Sequence, residues 1–164
     1  EHISEFKNIF QSRWLSMMRQ KLGLFDAQPE DATIAETLFK WMHQNKADYT
    51  NTFRLISLGS QPLDEKYNES EFTDWFAQWQ ARLTAQSSDF VDPFELMRFN
   101  NPIYIPRNHK VENSLGLATE NGDLAPFNHV LEVMQKPYTE RKGLEGYTEP
   151  RPEDFGPYQT FCGT

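Results

Sequence analysis

Two histidines in this sequence each precede a glutamate by three residues. His109 is followed by Glu112 and His129 by Glu132, and both pairs lie in segments where apolar residues recur at helical spacing. Residues three apart share one face of a helix, so an imidazole and a carboxylate could bind the same metal ion, and two such pairs would suit a small metal-dependent hydrolase. An ion pair on a helix surface needs the same spacing and is far commoner. We therefore favour ion pairs at both positions.

A second motif, Asp154-Phe155-Gly156, matches the magnesium-binding tripeptide of protein kinases. In a kinase this tripeptide follows a catalytic loop and precedes an activation segment and several helices. Here only eight residues follow it, and no glycine-rich phosphate loop precedes it. The sequence therefore favours a turn between prolines at this position.

Cys162 is the single cysteine, so the sequence excludes an internal disulfide. A buried structural cysteine would more naturally lie on a helix face, whereas a cysteine in a terminal tail is placed to meet another thiol or an oxidant. The residues alone leave a redox or disulfide role and an inert thiol equally open. A partner thiol would have to lie outside these 164 residues.

The stretch NNPIYIPRNHKVE, residues 100 to 112, interrupts a chain that is otherwise patterned for helices. Each proline fixes its own φ and disfavours helical geometry in the residue before it. Asn101 before Pro102 should therefore be extended, and so should the residue before Pro106. We predict a rigid strut over residues 101–107.

Three polar residues, Arg107, Asn108 and His109, lead from this strut into the next helix. Asn108 stands where a helix N-cap is expected. We interpret all three as structural: Arg107 and Asn108 should bond backbone carbonyls or helix-end amides. The apolar side chains of the strut should enter a core; they are Ile103, Tyr104 and Ile105.

Helical periodicity dominates the sequence between the termini. The clearest amphipathic stripe places its members at i, i+3, i+4, i+7 and i+11: Phe72, Trp75, Phe76, Trp79 and Leu83. Core packing is the better interpretation of these tryptophans than a ligand-stacking platform. We predict an all-α fold, with about six or seven helices in a helical region over 1–136 and an irregular Pro/Gly-rich tail over 137–164.

The composition excludes several classes of function. The chain has 24 acidic and 16 basic residues, and no run of Lys or Arg forms a stripe suited to a nucleic-acid backbone. No window approaches the roughly 18 consecutive apolar residues of a membrane span. The sequence begins without methionine in a segment already patterned as a helix and lacking a capping residue. Trimming of a tag is one explanation, and we favour the other, that this is the C-terminal part of a longer chain.

Together these stretches resemble the C-terminal third of the selenoprotein O family, also called SelO or YdiU. The matching elements are DYTNTFRLIS at 48–57, NPIYIPRNHKVE at 101–112, ENGD at 120–123, KPY at 136–138 and a tail from Tyr158 to Thr164 with a cysteine near its end. They cover most of the chain from Asp48 onward, and the combination is specific although each piece alone is weak.

The resemblance implies a parent protein with a kinase-like fold that transfers AMP from ATP to Ser, Thr or Tyr hydroxyls of other proteins. The family's ATP and magnesium residues belong to a glycine-rich loop, an ion-pairing lysine and a catalytic-loop region, and none of these motifs is present here. The segment would then support the large lobe and be inactive alone, without a catalytic, cofactor or metal site of its own. Its partner would be the N-terminal catalytic part of its parent chain, which acts on protein substrates.

The same resemblance gives Cys162 a candidate role. Many family members have a cysteine or selenocysteine near the C-terminus, which is implicated in redox control through a disulfide to the catalytic lobe. This chain has cysteine, so reactivity specific to a selenol does not apply. A bacterial cytoplasmic location is favoured, with a mitochondrial one as the alternative.

A free-standing α-helical interaction module is the alternative to a supporting segment. An excised support must leave its contact surface bare, and that surface could also form a homodimer. A large exposed apolar face would therefore favour the supporting segment, and its absence would favour the module.

Overall fold

The computed structural model describes residues 2–62, 64–86, 91–152 and 155. Over these residues the secondary structure is helical, without a β-strand. The seven α-helices are α1 (His2–Lys21), α2 (Asp31–Gln44), α3 (Tyr49–Ile56), α4 (Ser70–Ala85), α5 (Pro93–Asn100), α6 (Asn108–Asn121) and α7 (Ala125–Met134). Short 3-10 helices span Glu65–Asn68 and Glu145–Tyr147. The predicted all-α class and number of helices are confirmed.

The chain divides into two compact units, Glu1–Asn101 and Pro102–Thr164. The first unit contains α1 to α5, and the second contains α6 and α7. None of the helices in the described ranges is long and apolar enough to cross a membrane.

Local sequence accounts for the helix ends in the first unit. The Asp48 side chain accepts a hydrogen bond of 2.8 Å from the backbone N–H of Asn51, as expected of an N-cap. Gly23 follows α1 with φ +73°, a left-handed conformation that favours glycine. A Cβ atom on Gly23 would also lie 2.9 Å from the Pro93 carbonyl oxygen. Glycine is therefore needed at this position for both its backbone angle and its lack of a side chain.

The start of α6 in the second unit differs from the prediction by one residue. Arg107, with φ −64° and ψ 125°, occupies the N-cap position of α6, and Asn108 is its first helical residue. The expected N-cap role of Asn108 is therefore wrong. Asp123 precedes the N-cap position of α7, yet its carboxylate accepts a 2.9 Å hydrogen bond from the Ala125 N–H.

Aromatic side chains form the core of the first unit. Phe72, Trp75, Phe76 and Trp79 of α4 are all buried, as predicted from their spacing. The Trp75 and Trp79 rings stack with centroids 5.8 Å apart and planes inclined by 4°. Their indole N–H groups donate to the carbonyls of Ile34 and Leu22, at 2.8 and 2.9 Å. Both tryptophans therefore belong to the core and not to a ligand platform.

A buried ion-pair cluster lies beside this core. The Asp31 carboxylate accepts hydrogen bonds from Arg19 Nε at 2.6 Å and Arg82 Nε at 2.9 Å. Arg82 also donates to the Asp26 carboxylate at 2.7 Å. The bond from Arg82 lowers the pKa of Asp26. Burial opposes the charge of Arg82, but its bonds to Asp26 and Asp31 outweigh that effect and raise its pKa.

The second unit has a smaller core built on α7 and the strut. Ile103, Tyr104 and Val133 are buried together. The backbone N–H groups of Ile103 and Tyr104 both donate to the Pro137 carbonyl, at 2.8 and 3.2 Å. The segment that follows α7 is thereby attached to the strut by backbone hydrogen bonds.

Candidate functional site

The predicted strut is divided between the two units. Asn101 closes the first unit and is extended, with φ −118° and ψ 98°. It is 1% exposed. Its amide donates to the Lys21 carbonyl at 2.8 Å and to Ser57 Oγ at 3.0 Å. The extended geometry expected before Pro102 is confirmed, and the side chain joins α1 to the end of α3.

The Lys21 side chain makes a second set of contacts between α1 and the end of α5. Its ammonium donates to the Asn100 carbonyl at 2.9 Å and to Asn101 Oδ1 at 3.2 Å. It also lies 5.6 Å from the centroid of the Tyr49 ring and 5.4 Å from that of Phe53. Burial lowers the pKa of Lys21. The end of α5 is thus attached to α1 by a charged donor that packs against aromatic rings.

Asn101→Ala should lower the free energy of unfolding of the first unit by about 1–3 kcal/mol, because buried partners lose their hydrogen bonds. All four tryptophans lie in this unit, so urea unfolding followed by tryptophan fluorescence reports its stability. Gln44→Ala removes an exposed amide from α2 and serves as the control, with an expected change within about 0.5 kcal/mol. Equal losses in both variants would contradict the anchoring role of Asn101.

The second half of the strut is fixed by Tyr104 and Arg141. The Tyr104 hydroxyl accepts a hydrogen bond of 3.1 Å from the Arg141 backbone N–H, and the Arg141 guanidinium lies 5.5 Å from the Tyr104 ring centroid. Arg141 also donates to the Val133 carbonyl at 2.7 Å. Pro102 is half-buried and Pro106 exposed. Ile103 and Tyr104 enter a core as predicted, and Ile105 is half-buried.

The polar run after Pro106 separates into buried and exposed members. Arg107 is largely buried and donates to the Thr148 carbonyl at 3.1 Å, the kind of bond predicted for it. Asn108 is exposed. His109 is buried, with its ring in edge-to-face contact with Phe155 at 5.8 Å between centroids. Arg107 and His109 therefore hold the later segment of the second unit against the start of α6.

His109 should titrate below pH 6.5. Burial, followed by the charges of Lys110 and Arg107, lowers its pKa. Because the folded state favours the neutral ring, the contribution of His109 to stability is present above pH 6.5 and is lost as the pH falls through its folded pKa. An NMR titration of the histidine ring protons tests this, with His109→Gln and His129→Gln to assign the resonances. A folded pKa of 6.5 or higher for His109 would contradict it.

The two His-x-x-Glu pairs differ in their surroundings. His129 Nδ1 lies 3.7 Å from the Glu132 carboxylate on an exposed face of α7, the distance of a helix-surface ion pair. In the other pair His109 is buried and Glu112 is exposed. No group of three or more His, Cys, Asp or Glu side chains within the described ranges is arranged to hold a metal.

Some sequence candidates lie beyond the described ranges. Cys162 is among them, and so are Asp154 and Gly156 of the kinase-like tripeptide. Within the described ranges, sequence inspection missed Lys21, Ser57 and Arg141 as anchors. Their partners lie 80, 44 and 37 residues away along the chain, too far for local spacing to indicate the contacts.

Comparison with known proteins places these features in a family. The family model described as protein adenylyltransferase SelO matches residues 1–135. The chain is 42% identical over 162 residues to a protein nucleotidyltransferase YdiU from Brevibacillus brevis, covering 99% of this chain and 33% of the relative. Proteins of the same name from Bacillus thuringiensis and Nitrosococcus oceani are 40% and 39% identical over all of this chain, and over 34% and 33% of their own lengths.

The chain thus spans about a third of the length of the relatives that it matches. The family match includes the strut and all seven described helices, from α1 to α7. The resemblance expected from the sequence is confirmed, and this chain belongs to the SelO family of protein adenylyltransferases.

Proposed function

We propose that this chain is the C-terminal helical part of an enzyme that transfers AMP from ATP to Ser, Thr or Tyr hydroxyls of proteins. Its role is to support the large lobe of a kinase-like catalytic domain. The observation that carries the proposal is the extent of the family match: nearly the whole chain aligns with nucleotidyltransferases about three times its length. The remaining two-thirds of such a protein has ample length for the nucleotide site.

ATP and magnesium would bind in that remaining part. The present sequence has no glycine-rich phosphate loop. The strut contacts support the same assignment, since Asn101, Arg107 and Tyr104 bond backbone carbonyls or neighbouring side chains of their own unit. Groups that are already engaged in this way suit a supporting role better than contact with a reacting phosphate.

An exposed apolar face favours a supporting segment over a free-standing interaction module. Phe6, Ile9 and Phe10 of α1 are all more than half exposed. A self-sufficient module would bury such a cluster or keep it small. The specific observation in favour of the module is that each unit has its own buried core.

Transfer of label from α-labelled ATP to protein tests the proposal. The full-length parent protein and the 164-residue segment are compared with magnesium under reducing conditions. We expect transfer by the full-length protein and none by the segment. AMP transfer by the segment alone would mean that residues proposed to be structural carry out the reaction. No transfer by either protein would leave the interaction module as the better function.

Arg107→Ala in the full-length protein should lower the melting temperature and leave AMP transfer per folded molecule unchanged. The physical reason is the loss of a charged donor to the Thr148 carbonyl, an interaction of about 1.5–3 kcal/mol. Arg151→Ala removes an exposed arginine and is the matched control. Loss of transfer at an unchanged melting temperature would instead give Arg107 a direct part in the reaction.

Cys162 is proposed, on family resemblance alone, to regulate the parent enzyme through a disulfide to its catalytic part. Cys162→Ser should then remove the difference in AMP transfer between oxidising and reducing conditions. An unchanged redox response in this variant would contradict that role. We propose a cytoplasmic location in a bacterium, since the relatives that the chain matches come from bacteria.

A further inference from the structure

Residues 5–13 of α1 are exposed on every side of the helix. Met18 and Leu22, near the end of the same helix and its following turn, are buried. Among the exposed residues, Phe6, Ile9 and Phe10 have 67%, 54% and 59% of their surfaces accessible. The packing of the first unit therefore secures the end of α1 and leaves residues 5–13 exposed.

These apolar residues share one face of the helix. Positions three and four apart are neighbours on a helix surface, and the Phe6 and Phe10 rings lie 6.4 Å apart in a stacked arrangement. Met17, 44% exposed, lies on the same side of the helix two turns further on, beyond the exposed Arg13. Asn8, also exposed, falls on the opposite side. This part of α1 thus has an apolar side, and more than half of the surface of Phe6, Ile9 and Phe10 on it is left uncovered by the first unit.

A groove continues the apolar face onto α2. It has a volume of about 420 Å³ and is lined by Phe10, Gln11, Trp14, Glu36 and Phe39. The Trp14 and Phe39 rings form its aromatic floor, with centroids 5.9 Å apart. Its size and lining suit one large apolar side chain inserted between aromatic rings, the usual form of an anchor residue at a protein interface.

The extent of the family match indicates what covers this face. The family model includes α1 from its first residue, so this helix is part of the shared fold. Two-thirds of each relative lies outside the match. A surface within the same polypeptide meets α1 at a high effective concentration, whereas a second copy must reach it from solution. Exposed clusters of large apolar side chains are typically contact sites.

We propose that the α1 face formed by Phe6, Ile9, Phe10 and Met17, with the groove at Trp14 and Phe39, is a one-sided docking surface. Its partner is an apolar element in the other two-thirds of the same polypeptide, which inserts one large apolar side chain into the groove. The opposite side of α1, with Asn8, remains in water. This inference rests on the proposed function, since it assigns the surface by which the segment supports the catalytic part.

Thiol labelling of the full-length protein tests the surface. In a background with its native cysteines replaced, including Cys162→Ser, the variants Phe10→Cys and Asn8→Cys are labelled with a maleimide, folded and in urea. We expect Asn8→Cys to react at nearly its unfolded rate. Phe10→Cys should react at least about tenfold more slowly when folded, because labelling there requires local opening.

Each other outcome overturns the inference. Equally fast labelling at both positions would show that the apolar face is uncovered. Slow labelling at both would show that α1 is enclosed on all sides and does not dock through one side. Protection of Phe10→Cys that disappears on dilution would assign the face to a second copy. Transfer from α-labelled ATP, measured on the same protein before labelling, reports the proposed function separately, so an active enzyme with a reactive Phe10→Cys would overturn the docking surface alone.

Discussion

Asp31→Ala is expected to lower the free energy of unfolding of the first unit by about 3–5 kcal/mol, because it leaves buried positive charge without its counterion. Asp31 has no exposed surface, and its carboxylate bonds the guanidinium groups of Arg19 and Arg82. It also accepts a 2.9 Å hydrogen bond from the Gln28 N–H ahead of α2. One substitution therefore affects α1, α4 and the start of α2 together.

The neighbouring Glu30 provides a matched control. Its side chain is 57% exposed and lies 3.9 Å from the same Arg82 nitrogen. Exposed ion pairs contribute about 0–1 kcal/mol, so Glu30→Ala should have little effect. Urea unfolding followed by tryptophan fluorescence measures both variants. A similarly small decrease in unfolding free energy for Asp31→Ala would mean that the ion-pair cluster is hydrated and contributes little to stability.

A double variant distinguishes the net contribution of the Asp31–Arg82 ion pair to stability from the cost of leaving one of its charges unpaired. Replacing Asp31 by Leu and Arg82 by Met removes both buried charges while retaining apolar volume. Buried ion pairs replaced in this way often give neutral or improved stability. We therefore expect the double variant to recover part of the stability lost in Asp31→Ala. A further loss would show that hydrogen-bond geometry, and not an unpaired charge, dominates the effect.

Trp79→Ala is the second substitution with a large expected effect, about 3–5 kcal/mol of unfolding free energy. Trp79 has no exposed surface, stacks on Trp75 and lies 5.2 Å from the Phe76 ring, centroid to centroid. Its indole N–H satisfies the Leu22 carbonyl at the end of α1. The alanine variant loses the packing and leaves this buried carbonyl without its donor.

Circular dichroism at the helical band is the suitable measurement, since the substitution removes a fluorophore. Trp79→Phe keeps most of the aromatic volume and loses the N–H donor. Its unfolding free energy should therefore fall by less than that of Trp79→Ala. Gln80→Ala, at the exposed next position of α4, sets the baseline. Equal stability of Trp79→Ala and Gln80→Ala would contradict the assignment of Trp79 to the core.

The exposed face of α1 belongs to a helix that the core of the first unit holds in place. The ion-pair cluster and the aromatic core hold α1 through its second half, which contains Arg19 and ends beside Leu22. Phe6 and Phe10, nearer the beginning of the helix, are more than half exposed. A variant that loosens the core should therefore reduce the activity of the parent enzyme through stability, whereas one at Phe10 should act on docking.

Local sequence determined the helices of this protein and much of their burial. The stripe from Phe72 to Leu83, the N-cap at Asp48 and the glycine at position 23 each depend on neighbours within about three turns. Helical periodicity, capping and backbone restriction act over that same distance. The strut was predictable for this reason as well, since each proline constrains the residue before it.

Only the tertiary structure decided which polar groups meet. Asp31 and Arg82 are 51 residues apart, Lys21 and Asn101 are 80 apart, and no spacing rule indicates either contact. The same holds for α1: its sequence predicted a helix but not which of its residues are packed and which are exposed. Chain folding brings distant residues together according to the packing of whole helices, and a side chain's exposure depends on that packing and not on its neighbours in sequence.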